Sequence, residues 1–145
     1  MATSSLRASA PRESGVDAAL LILRLTLGIL LLFHGLSKLP PPPTFIVGLL
    51  AKMDLPSVLA YGVYIGEIVA PILIIVGIWT RLAALVIVVN MVVAVVLALM
   101  PHLFEISNTG GYALESEAFY LFVALALALT GAGRYSVGGR YGPFN

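Results

Sequence analysis

Four long apolar runs alternate with short breaks rich in proline, glycine or polar residues. The runs cover about residues 18–37, 58–79, 82–100 and 114–131, the last being short unless Leu114 to Glu117 extend it. A helix needs roughly 20 residues to cross the hydrocarbon core of a bilayer, with about 17 at the lower end. Lipid offers no partner to a free backbone group, and four closely linked spans cannot close a barrel, so helices are predicted throughout. The predicted fold class is an all-α membrane protein, a four-transmembrane-helix antiparallel up-down bundle with both termini cytoplasmic.

The breaks agree with this reading. "LPPPPTF" from Leu39 to Phe45 ends the first helix, because proline lacks the N–H donor and forces its predecessor into an extended conformation. "TFIVGLLAKM" from Thr44 to Met53 reads as a short amphipathic piece lying at the interface. "WTRL" from Trp79 to Leu82 is so short a turn that the second and third helices must be antiparallel neighbours. "SNTGGY" from Ser107 to Tyr112 separates the third helix from the fourth. Three segments are therefore predicted: a disordered cytoplasmic segment over residues 1–15, the transmembrane domain over 16–137, and a glycine-rich tail over 138–145. Arg7 and Arg12 precede the first run as they would in a signal peptide. That run is long, carries Arg24 and has no small-residue cleavage site after it, so it is read as retained.

Orientation follows from the basic residues in short flanks. Arg7, Arg12, Arg81, Arg134 and Arg140 fall on one side, and Lys38 and Lys52 on the other, which puts both termini in the cytoplasm. Composition narrows the class further. The 145 residues are 60% hydrophobic and 10% charged, with a mean hydropathy of +1.05, whereas a soluble domain carries about 25% charged residues. A net charge of +1 with no basic block gives no footing for nucleic acid. Cysteine is absent, which excludes disulfides, CxxC relays and thiolate metal sites within this chain.

Ionisable groups inside the apolar runs are costly and therefore informative. Arg24 lies about 10 Å from the cytoplasmic edge of its helix, Glu67 about 14 Å from the outer edge, and Asn90 about 12 Å from the cytoplasmic edge, at 1.5 Å per residue. All three fall in one layer near the midplane, where a lone charge costs at least roughly 2.5–3.5 kcal/mol. The expectation is an Arg24–Glu67 pair across the first two helices, with Asn90 bonded to either. Arg24, Gly28, Leu31, Gly35 and Lys38 share one helical stripe, whose glycines admit a close neighbour. Leu20, Leu27 and Leu30 lie on the other faces and are expected to meet lipid. His34 and Lys38 sit at the outer end of the stripe, where Lys38 alone could simply snorkel to the headgroups. The intramembrane polar site is thus Arg24, Glu67, Asn90, His34 and Lys38, with His34, Arg24 and Asn90 as candidate cofactor-binding donors. His34, His102 and Glu117 are weak metal candidates, since no HxxxH or HExxH spacing joins them. Tyr61, Tyr64, Tyr112 and Tyr120 gather near the same side, as an aromatic belt would.

"LRLTLGILLLFHGLSKL", "GEIVAPILIIVGIWTRLAALVI" and "GAGRYSV" together resemble the signature blocks of the DoxX family of small bacterial and archaeal membrane proteins. The resemblance covers about residues 18–137 and carries family-pattern roles onto Arg24, His34, Lys38, Glu67 and Arg134. Family members often have an acidic residue shortly after the serine of the last block, where this chain has Val137, Gly138 and Gly139. The resemblance implies a four-helix bundle in a prokaryotic plasma membrane, loosely linked to quinol-linked oxidoreductases. Three functions stay open: an accessory or quinone-interacting subunit of a membrane redox system, a structural or chaperone-like bundle, and a small proton-coupled carrier. The partners expected are the lipid bilayer, redox proteins and further copies of the chain, with quinone as the cofactor to consider. The chain has no thiol nucleophile, hydrolase elbow or dinucleotide-binding loop, so any chemistry comes from a cofactor or a partner.

Overall fold

The computed structural model describes residues 10–40, 43–108 and 110–145, and over these it is built from helices. α1 spans Ala10–Ser37 and α2 spans Thr44–Ala51. α3 runs over Ser57–Val76 and α4 over Thr80–His102, each with irregular turns within it. α5 spans Glu115–Thr130. Among the described residues, three helical stretches are long and apolar enough to cross a membrane: Glu13–Ser37, Ser57–Val76 and Thr80–His102. With 16 residues, α5 is shorter than these.

The breaks fall where the backbone chemistry demands. α3 stops at Gly77, whose left-handed φ of 76° turns the chain while its N–H closes onto the Leu73 carbonyl at 2.8 Å. Trp79, also left-handed at φ 50°, completes the reversal into α4. Three residues therefore join α3 to α4, which lie antiparallel and in contact.

Glycine and alanine set how close the helices come. α4 and α5 make the most extensive contact of the bundle, with Ala83, Ala84 and Ala124 fully or nearly fully buried. α1 meets α3 along a glycine seam. A Cβ on Gly28 would collide with Ile75, and one on Gly35 with the backbone of Glu67. Leu27, Leu31, Ile74, Ile87 and Leu127 fill the centre. α2 packs against the start of α3, with Leu50 buried, and touches the C-terminal part of α4.

Three expectations are corrected. Leu27 is not lipid-facing: it is completely buried, whereas Leu30 is exposed. α1 touches both α3 and α5, so its buried face is wider than a single stripe. The segment expected to be disordered is partly helical, because α1 already begins at Ala10; residues 1–9 lie outside the described residues. The glycine-rich tail packs against the bundle. Asn145 is buried, and its side-chain oxygen accepts from the N–H and the hydroxyl of Thr80, capping the start of α4.

Candidate functional site

Two polar clusters lie at different depths in the bundle. The first centres on Glu67, which is buried on a π-helical turn, Ile65–Val69, within α3. Such turns insert an extra residue into a helix and often accompany functional positions. Lys38, the residue after α1, donates to one carboxylate oxygen of Glu67, and Asn90 of α4 donates to the other at 3.4 Å. The Lys38 side chain is 30% exposed and that of Glu67 7%, so the pair sits at the edge of the core. Tyr64 holds the end of α1 in place by donating its hydroxyl to the Lys38 carbonyl at 3.0 Å. Gly66 gives Asn90 its room, because a Cβ there would strike the Asn90 side chain. Gly35 does the same for Glu67, one helical turn before Lys38.

His34 lies one turn before Lys38 on the exposed surface of α1. Its Nε2 is 3.3 Å from the hydroxyl of Tyr120 on α5, and the rings meet edge to face with centroids 5.6 Å apart. Tyr120, read from the sequence only as an aromatic-belt residue, thus belongs to the polar site. Its signal was a tyrosine one turn inside the fourth apolar run, with a hydroxyl that needs a partner once buried.

The second cluster holds Arg24, and here the expected Arg24–Glu67 pair is overturned. Arg24 is 1% exposed and spends its donors on backbone carbonyls. Nε reaches Ile74 at 2.9 Å, and Nη2 reaches Ile75 at 3.0 Å. Nη1 reaches Ala132 at 2.9 Å and Tyr135 at 2.8 Å. Among the described residues no carboxylate lies within ion-pair distance of it. The acceptors are the orphan carbonyls that end α3 and two from the segment after α5. The negative helix-dipole end of α3 faces the guanidinium, which offsets part of the cost of burying the charge. Gly77 leaves space for the guanidinium, since a Cβ there would collide with Arg24 Nη2.

Side-chain direction explains why depth alone misleads. Every Cα–Cβ bond in a helix tilts toward that helix's N-terminus. α1 and α3 run in opposite directions, so Arg24 leans toward the end of the bundle where α1 begins and Glu67 toward the other. Lys38, at the far end of α1, leans back toward Glu67 and meets it. The structure therefore joins Glu67, Asn90 and Lys38, sets His34 beside Tyr120, and separates Arg24 from all of them.

A third set of contacts ties the tail to α1. Asp17 is buried, accepts the Arg134 N–H at 2.9 Å and takes both oxygens to Arg140 at 2.8 Å. The hydrogen bond that Arg140 donates to Asp17 raises the guanidinium's pKa above its ordinary range. Where the resemblance led to the expectation of an acid after Ser136, the backbone N–H groups of Val137 and Gly138 bond to Val76 and Gly77. The carboxylate at this end comes from α1 instead. Asp17 carried little signal, as its partner is 123 residues away.

The metal candidates do not converge. His102 bonds Glu105 at 2.7 Å, Glu117 accepts from Ser116, and His34 turns to Tyr120. Among the described residues no three His, Asp or Glu side chains gather as a metal ion would require.

The DoxX family model matches residues 19–100 of the chain. That stretch holds Arg24, His34, Lys38, Glu67 and Asn90 and ends before Tyr120. No curated protein and no solved structure matches.

Proposed function

This chain belongs to the DoxX family and is an integral membrane protein, and from that footing we propose that it is an accessory, quinone-interacting subunit of a membrane redox system. The observation that carries this reading is the Lys38–Glu67–Asn90 cluster with His34 and Tyr120 beside it. A quinone carbonyl needs hydrogen-bond donors in a largely apolar setting. Lys38, partly exposed next to the lipid-facing side of α1, and the His34–Tyr120 pair offer such donors at one depth. When bound, a quinone supplies electron and proton chemistry that no side chain here can supply. The chain's own part is to orient the carbonyl oxygen through Lys38 and His34, with Glu67 and Asn90 holding the lysine in place. Arg24 has no place in binding on this reading; it fastens the helix ends that hold the site.

The proposal includes the topology. α5 crosses as a fourth span, matched to the bilayer by local thinning or by flanking residues. Both termini lie in the cytoplasm of a prokaryotic cell, and a redox enzyme docks on the bundle.

One observation favours a second reading, a purely structural bundle. Among the described residues every buried side-chain polar atom has a partner within the chain, so the bundle closes without a ligand. Purification in mild detergent followed by solvent extraction decides between the two. The redox reading expects quinone to copurify in near-stoichiometric amount and to fall several-fold in Lys38→Met and His34→Ala. Quinone at background level in the wild type, in membranes rich in it, favours the structural bundle.

A further inference from the structure

We infer that the Lys38–Glu67–Asn90 site exchanges ligand and protons with one side of the membrane only, the side on which α2 and the α4–α5 connection lie. The opposite end is closed in three ways. Arg24 bridges the end of α3 to the segment after α5 through four carbonyls, and it is 1% exposed. Asn145 caps α4 through Thr80, which is wholly buried. Arg140 and the Arg134 N–H pin the tail onto Asp17.

Between this closure and Glu67 lies a dry layer. Leu27, Leu31, Ala70, Ile87, Ala124 and Leu127 are each 0–2% exposed and belong to one packed cluster. Arg24 binds the Ile74 carbonyl, seven residues from Glu67, so the layer is roughly 10 Å thick at 1.5 Å per residue. A water or proton path needs polar partners every few ångströms, and close-packed apolar side chains provide none.

The outer side differs. Lys38 is 30% exposed and His34 is exposed, as are the preceding Leu30 and Phe33 at 44% and 67%. The ligand class this geometry takes is a lipid-soluble molecule that brings a hydrogen-bond acceptor into the leaflet on the α2 side. The inference rests on the reading of this cluster as a working site, but not on the ligand being a quinone.

The absence of cysteine makes a direct test available, since one introduced thiol is the only thiol. Lys38→Cys, His34→Cys and Val137→Cys are placed in vesicles, with Val137 at the exposed tail reporting the termini side. Each is treated from one side at a time with a charged, membrane-impermeant methanethiosulfonate, and the mass shift is followed. Lys38→Cys and His34→Cys should react from the side opposite to Val137→Cys, about a hundredfold faster than from its own side, as the insertion cost of one charge implies. Comparable rates from both sides, or from the Val137 side, overturn the inference. So does failure to react from either side, which would mean a site sealed at both ends. His34→Cys leaves the ion pair intact and carries the test if Lys38→Cys does not fold. Quinone content, measured separately, keeps the two ideas distinct: one-sided labelling in a quinone-free protein preserves the sidedness and removes the proposed occupant.

Discussion

Lys38 donates to Glu67 across the seam between α1 and α3, one turn beyond the glycine that lets the two helices touch. The ion pair and the close approach depend on each other. Gly35 lets the backbone of Glu67 lie against α1, and that close approach brings the carboxylate within reach of the lysine.

Removing the cation should therefore harm more than removing the pair. Lys38→Met leaves Glu67 buried without its ion-pair partner, and breaking a buried pair typically costs about 3 kcal/mol at the lower end. The partial exposure of Lys38 argues for that lower end. Lys38→Met combined with Glu67→Gln should recover most of the loss. Thermal unfolding in detergent, followed by circular dichroism, measures both; equal melting temperatures for the single and double variants would count against the coupling.

Gly35→Ala should separate α1 from α3 at the site. The added carbon meets backbone rather than a flexible chain end, so the helices themselves must shift. Overpacking of this kind costs about 1–3 kcal/mol. Gly15→Ala, where nothing lies in reach, should be neutral or slightly stabilising in the same melt.

Arg24 should behave as a fastener and not as a ligand-binding group. Lysine cannot hold four carbonyls spread over two segments, and each charged hydrogen bond lost removes about 1.5–3 kcal/mol. Arg24→Lys is expected to lower the melting temperature markedly. In the folded fraction, quinone content per chain should match the wild type. A selective fall in that content at unchanged stability would place Arg24 in binding after all.

The tail contact offers a readout that leaves the polar site alone. Arg140→Ala removes the bidentate partner of Asp17 and loosens the segment after α5. Trypsin cleavage after Arg134 should accelerate several-fold in detergent, with quinone content unchanged, because proteolysis samples local opening. Equal cleavage rates would mean that the tail is held without Arg140, by the Thr80–Asn145 cap, the Arg24 contacts and the backbone bonds to Val76 and Gly77.

The helices of this protein are written in its pattern of apolar and polar residues. Long apolar runs in a chain with few charges can only become helices, because hydrocarbon leaves no other partner for the backbone. The proline and glycine breaks marked the helix ends to within a few residues, except at α1, which starts well before its apolar run. The seam of Gly28 and Gly35, and the polar positions Glu67, Asn90, His34 and Lys38, were also legible, since each interrupts an otherwise apolar pattern. Which of them pair depends on how the helices pack. Depth along a helix is one-dimensional, and by depth Arg24 and Glu67 are neighbours. Antiparallel helices send their side chains to opposite ends, so the arginine closes one end of the bundle and the carboxylate opens toward the other. Arg24 finds carbonyls 50 to 111 residues away, and Asp17 finds its arginine after 123. No local pattern encodes such meetings; they exist only because packing brings the end of the chain back onto its first helix.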